Sequence, residues 1–219
     1  MNPIRAIVFD FDGVLVDSEP WWEKADARLV EAEGKALLPE AKKAVIGLKQ
    51  EVSIRTILSM HGIAGDPEVF MRRRERMMEE FYAAEIPLFP GVREALEVLA
   101  ARGLILAVAS STPRRLVELS LNHHGIRPFF RQVVSAEEVA HGKPAPDIFL
   151  KALELLAVPP AEAIVVEDSL PGIVGANAAG VVSVWVRNDE QPEAEAHADI
   201  VISSLGALCE LPILPGHPS

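Results

Sequence analysis

The chain has 219 residues, 49% hydrophobic and 24% charged, with a formal net charge of −11 and one cysteine. That length supports one large core, or one domain carrying a smaller insertion. The negative charge argues against a nucleic-acid partner, which needs basic surface to displace counterions, and Cys209 alone excludes an intrachain disulfide and fits a cytoplasmic setting.

The first apolar run, Ile4 to Phe9, is short and β-branched and ends on Asp10 and Gly13, which predicts a buried strand. It is too short for a secretory or membrane segment, and no other run is long enough, so no membrane partner is expected. From about Asp17 to Pro87 the pattern is helical instead, over roughly Glu19–Ala32, Glu40–Ile46, Val52–His61 and Pro67–Ala84. Pro20 suits a first helical turn, with Ser18 as its expected cap. Pro87-Leu88-Phe89-Pro90-Gly91 then returns the chain to alternating elements. Helical patterns at Val92–Arg102, Pro113–His124 and Pro146–Leu156 separate strand-like runs at Leu104–Ala109, Ala163–Val166, Val181–Val186 and Ile200–Ile202. Strands alternating with helices imply right-handed crossovers and a parallel sheet covered on both faces. The expected fold is therefore α/β, a Rossmann-like core over 1–16 and 88–219 with an all-helical insertion over 17–87. The tail from Leu211 is proline-rich and expected to be irregular.

Ligands of open α/β sheets bind at the carboxyl ends of the strands. Asp10-Phe11-Asp12-Gly13 follows the first strand, Ser110-Ser111-Thr112 the second, and Glu167-Asp168-Ser169 a later one. Lys143 lies in the loop His141-Gly142-Lys143-Pro144-Ala145-Pro146-Asp147, just before a helix. Four carboxylates converging on one edge repel one another; a pair about 4 Å apart costs roughly 4 kcal/mol at an effective dielectric near 20. A divalent cation together with Lys143 relieves that repulsion. Oxygen-only ligands favour Mg²⁺, and there is no Cys/His cluster to suggest zinc. The net charge of −11 repels an anionic substrate at long range, so any phosphate site must be made locally positive by a metal, a lysine or backbone N–H groups.

The series Asp10-x-Asp12-Gly13-x-x-x-Asp17, Ser110, Gly142-Lys143-Pro144-x-Pro146-Asp147 and Glu167-Asp168-Ser169-x-x-Gly172 resembles the haloacid dehalogenase superfamily, whose motifs occur in this order across nearly the whole chain. The helical insertion resembles the cap of its β-phosphoglucomutase-like and sugar-phosphatase branch, and Asp17-Ser18-Glu19-Pro20-x-Trp22 resembles hexose-phosphate phosphatases of that branch. The resemblance implies a phosphatase acting on small phosphate monoesters through an aspartyl-phosphate. Asp10 would be the nucleophile and Asp12 the general acid and base. Asp10, the backbone carbonyl of Asp12 and Asp168 would hold Mg²⁺, with Glu167 bound to the metal or to a water on it. Ser110, Ser111 and Lys143 would bind phosphoryl oxygens, and Gly13 would let backbone N–H groups approach them.

Trp22, Lys49 and Arg114 are the further candidates for substrate contact. Thr112 before Pro113 reads as a helix cap, Asp147 as a first-turn acid, and Arg72-Arg73-Arg74-x-Arg76 as a solvated helix face. The rival readings are a phosphomutase, a phosphoglycolate phosphatase, a dehalogenase and a phospho-accepting signalling domain. Related mutases carry a histidine where this chain has Trp22, and a dehalogenase needs neither metal nor Asp12. A signalling domain would be shorter and lack the helical insertion. A monomer is the default expectation.

Overall fold

The computed structural model describes residues 3–45, 48, 50–187 and 192–216. The chain divides into two compact units, Met1–Asp17 with Pro87–Ser219, and Ser18–Ile86.

The first unit is built on a six-stranded sheet. Its strands are β1 (Ala6–Phe9), β2 (Ile105–Ser110), β3 (Phe130–Ser135), β4 (Ala163–Glu167), β5 (Val182–Val186) and β6 (Ile200–Ile202). They lie in the order β3-β2-β1-β4-β5-β6, and every neighbouring pair is parallel. A parallel sheet needs both faces covered, and the alternation of the strands shows it. Ala6, Val8, Ala107, Ala109 and Val165 pack with Ile148, Phe149, Ala152 and Leu153 of helix α7 (Asp147–Leu156), while Ile7, Phe9, Val108, Ile164 and Val166 are equally buried on the opposite face.

β3 has no counterpart among the predicted strands. It is an edge strand whose exposed Arg131 and half-buried Gln132 interrupt the apolar run between the buried Phe130 and the buried Val133 and Val134. Helix α8 (Leu170–Ala178) also escaped the sequence pattern, because Gly172 and Gly175 sit inside it. Gly175 is there for packing: a Cβ at that position would lie 3.1 Å from the Phe149 ring and 3.2 Å from the Ala145 carbonyl oxygen.

The second unit holds α1 (Glu19–Glu31), α2 (Pro39–Val45), α3 (Gln50–Met60) and α4 (Pro67–Ala84), with no strand among its described residues. Ser18 occupies the N-cap of α1 but makes no side-chain cap bond, since its backbone is helical rather than extended. The cap that does form is Asp66, which accepts from the Glu68 N–H at the start of α4. Leu29, Ile54, Leu58 and Phe70 form the apolar centre of this unit.

The arginine cluster on α4 is not uniformly solvated. Arg74 is only 4% exposed and Asp26 only 5%. The Arg74 guanidinium donates to Asp26 Oδ2 at 2.7 Å and to Ser53 Oγ at 3.2 Å, and lies 4.7 Å from the Trp22 ring centre. Burial pushes the Asp26 carboxyl above its ordinary range, and Arg74 opposes that shift. Removing one member of such a pair leaves an uncompensated charge inside. Arg74→Ala is therefore expected to destabilise the helical unit by about 3–5 kcal/mol, read as faster hydrogen exchange across residues 18–86. The combined change Asp26→Leu with Arg74→Met should cost much less than Arg74→Ala alone.

Candidate active site

The site is assembled by strand register. Phe9 stands opposite Val108 of β2 and Val166 of β4, so the next residue, Asp10, falls beside Ala109 and Glu167. The Asp10 N–H continues the ladder by donating to the Val166 carbonyl at 2.8 Å. This point lies where the chain order changes direction about β1, the usual position of a ligand crevice in an open α/β sheet.

Lys143 enters from the loop before α7 and is followed by a cis Lys143–Pro144 peptide bond. Its ammonium donates to Asp10 Oδ1 at 2.6 Å, to Glu167 Oε1 at 2.5 Å and to the Ala109 carbonyl at 3.2 Å. Its side chain is 5% exposed and that of Glu167 is fully buried. Burial by itself lowers the lysine pKa, but the Asp10 and Glu167 carboxylates outweigh it and hold the ammonium above its usual range.

Asp10, Glu167 and Asp168 each offer a carboxylate oxygen within 4.8 Å of the others. Burial, then repulsion from Glu167, pushes the Asp10 carboxyl up from its ordinary 3.8 to about 7. Burial followed by Glu167 and Asp10 raises Asp168 well above its ordinary range. Glu167 is held differently. Its Oε1 takes Lys143, while Oε2 accepts from Ser169 Oγ at 2.9 Å and from the Asp168 and Ser169 N–H groups at 3.1 and 3.2 Å. Asp168 is fixed in turn by the buried Trp185, whose indole N–H donates to its carbonyl at 3.0 Å.

Two glycines leave room for these carboxylates. Gly13 has φ +80°, and a Cβ there would lie 2.0 Å from Asp168 Oδ2. A Cβ on Gly172 would fall 1.9 Å from the Glu167 carboxyl carbon.

Ser110 ends β2 and is 1% exposed, with Oγ accepting from the Thr112 N–H at 3.0 Å. Ser111 follows it, half-buried. Thr112 does not cap the next helix. Helix α6 (Arg114–His123) has Pro113 at its N-cap, and the Thr112 hydroxyl donates to Asp12 Oδ2 at 2.6 Å. Asp12 thus meets the second motif, while its charge contributes to raising Asp10. Arg114 is engaged elsewhere, bonded to both Glu138 oxygens at 3.2 Å and 3.8 Å from Glu118. Trp22 belongs to the helical unit, where its ring sits edge-on to Tyr82 at 6.2 Å and against Arg74. Lys49 lies outside the described residues. Asp147 opens α7, as its first-turn assignment requires, and its carboxylate pairs with His141 Nδ1 at 3.2 Å.

Sequence reasoning passed over the Ser169, Gly172 and Trp185 roles around Glu167 and Asp168. The spacing Glu167-x-Ser169-x-x-Gly172 carried the signal for the first two. Trp185 gave none, since its partner is a backbone carbonyl in another loop.

A family model described as haloacid dehalogenase-like hydrolase matches residues 7–186. The chain belongs to that family. The phosphorylated carbohydrates phosphatase of Thermotoga maritima is 32% identical to it over 182 residues, covering 83% of this chain and 84% of that one. Hexitol phosphatase B of Escherichia coli strain K12 is 30% identical over 222 residues, covering 94% of each. The solved structure of CbbY from Rhodobacter sphaeroides with xylulose 1,5-bisphosphate superposes with a TM-score of 0.83 at 28% identity, covering 97% of this chain and 99% of that one. The chain is thus a hydrolase of phosphoric monoesters. No helix among its described residues is long and apolar enough to cross a membrane.

The Gly172 contact predicts that Gly172→Ala displaces the Glu167 carboxylate and releases Lys143, lowering kcat/KM at least tenfold while the sheet still folds, as circular dichroism would show. The raised Asp10 carboxyl predicts a pH effect. The folded state holds its proton up to about 7 and the unfolded chain releases it near 3.8. Stability from this group is therefore present below 3.8 and is lost as pH rises to about 7, at up to roughly 1.4 kcal/mol per pH unit. Lys143, raised from above 10, titrates outside that window. In chelator, the stability of Asp10→Asn relative to the parent should rise between pH 4 and 7 in denaturant melts.

Proposed function

We propose that this chain is a Mg²⁺-dependent phosphatase that hydrolyses small phosphorylated carbohydrates through a phospho-aspartate on Asp10. The observation that carries the reading is the Asp10–Lys143–Glu167 arrangement at the carboxyl ends of β1 and β4, with Asp12 two residues from the nucleophile.

The donor set fits a hard divalent cation. Its side-chain atoms are carboxylate oxygens, and burial followed by their mutual repulsion raises Asp10 and Asp168 even with Lys143 opposing the shift. Asp10 and Asp168 would be the side-chain ligands, with the Asp12 carbonyl as a backbone donor. Glu167 has both oxygens engaged by donors of the chain itself, so it serves to hold Lys143. When bound, the ion neutralises the carboxylates and polarises the phosphoryl oxygens.

In the first step an Asp10 carboxylate oxygen forms a bond to phosphorus. The bond from phosphorus to the sugar oxygen breaks, and Asp12 gives that oxygen its proton. Lys143, Ser110, Ser111 and the N–H groups made approachable by Gly13 bind the phosphoryl oxygens and stabilise the charge that grows on them. Ser110 suits this role because its Oγ accepts from the Thr112 N–H, which leaves its own hydrogen to donate. In the second step Asp12 takes a proton from water as its oxygen attacks phosphorus. Inorganic phosphate leaves and Asp10 is a carboxylate again.

The carbohydrate assignment draws on the relatives named for phosphorylated carbohydrates and hexitols. Hydrolysis is favoured over mutase chemistry by Trp22, whose indole cannot shuttle a proton as an imidazole does.

Asp10→Asn should abolish phosphate release from hexitol phosphates and from 4-nitrophenyl phosphate while the melting temperature stays within a few degrees or rises. Turnover equal to the parent would refute the nucleophile. Excess chelator should remove activity and Mg²⁺ restore it, with Ca²⁺ a poor substitute. With β-glucose 1-phosphate and with hexose 6-phosphates, free phosphate should accumulate without efficient interconversion of the isomers. The reverse would assign a phosphomutase.

A further inference from the structure

The second motif does more than contact phosphate. Thr112 is 5% exposed and is fixed at three of its polar atoms. Its N–H donates to Ser110 Oγ at 3.0 Å, its carbonyl accepts from Ser135 Oγ at 2.9 Å, and its hydroxyl donates to Asp12 Oδ2 at 2.6 Å. Ser135 is fully buried at the end of β3 and is itself held, its N–H donating to Glu138 Oε1 at 3.0 Å and its Oγ accepting from the Glu137 N–H at 3.3 Å. Arg114 completes the frame through Glu138 and, by its backbone N–H, through Glu137 Oε2 at 3.1 Å. A rigid chain of bonds therefore runs from the edge strand β3 through Thr112 to one oxygen of Asp12.

We propose that Thr112 is a positioning residue for Asp12, setting the carboxyl rotamer from which the leaving oxygen is protonated. The proposal rests on the assignment of Asp12 as general acid. The hydroxyl donor occupies Oδ2, so the proton to be transferred resides on the other oxygen, and Asp12 presents one defined face to the substrate. As the bond from phosphorus to the leaving oxygen breaks, that oxygen takes the Asp12 proton and Asp10 completes its bond to phosphorus. Thr112 keeps its own proton throughout. The strand-edge frame also gives Arg114 its place, as a support behind Ser135 and Thr112.

The test is the dependence on leaving group, because an alkoxide needs the proton and 4-nitrophenolate barely does. The measured quantity is kcat/KM, which reports steps up to phosphoryl transfer, for the parent, Thr112→Val, Thr112→Ser and Asp12→Asn on a hexitol phosphate and on 4-nitrophenyl phosphate. Thr112→Val should lose about tenfold more on the hexitol ester than on the aryl ester, and Thr112→Ser should recover most of that difference. Thr112→Ala makes the same comparison should the valine variant not fold. Equal losses on the two esters, or no loss, would overturn the positioning role if Asp12→Asn still shows the leaving-group difference. If Asp12→Asn shows no such difference, the acid assignment itself fails, and the proposal fails with it.

Discussion

One buried ammonium decides how this site can exist. Lys143 sits between Asp10 and Glu167 at hydrogen-bond distance from both, with almost no exposure to water. Without it, carboxylates on adjacent parallel strands would face one another in a low-dielectric crevice, at a cost several times thermal energy. With it, burial and the repulsion left from Glu167 still hold Asp10 and Asp168 above their ordinary range. The proposed divalent cation would relieve that repulsion and, together with the lysine, make an acidic protein locally receptive to a phosphate ester.

The surroundings follow from keeping those groups in place. The parallel register sets Asp10 opposite Glu167 before any side chain is considered. Glu167 is anchored by Ser169 and two backbone N–H groups, so it holds Lys143 from a fixed position. Gly13 and Gly172 are glycines because the space where a Cβ would stand is occupied by the carboxyls of Asp168 and Glu167. A helix containing Gly172 and Gly175 is weak by propensity. It persists here because the close approach of Phe149 and the Glu167 carboxylate is what those glycines permit.

The helical unit solves a different problem. Its buried Arg74 on α4 reaches Asp26 of α1 and Ser53 of α3 and lies over Trp22. A buried ion pair is weak grounds for added stability, since desolvation offsets much of the attraction. It does impose one arrangement of α1, α3 and α4, because any slip would strand a charge. Polar Asp26, Ser53 and Arg74 therefore fix a geometry that Leu29, Ile54, Leu58 and Phe70 alone would leave looser.

Much of the architecture was legible in the residue order. Parallel strands buried on both faces read as unbroken apolar runs, so β1, β2, β4, β5 and β6 could be placed, and the residues that follow them mark a common edge. The motifs around Asp10, Ser110, Lys143 and Glu167 were visible for the same reason, since each lies at or just beyond an element's end. Local pattern could not show β3, whose apolar run is broken by Arg131 and Gln132 at the sheet edge, nor α8, whose glycines are explained only by distant neighbours. Nor could it tell a solvated Arg74 from a buried one, or a capping Thr112 from one bonded to Asp12, since those distinctions rest on partners 48 and 100 residues away. The sequence by itself determined the fold class and which chemical groups gather at the strand ends, because periodicity and strand-end residues are local properties. Only the tertiary structure decided which donor meets which carboxylate, because hydrogen-bond partners are set by register and packing between segments far apart in the chain.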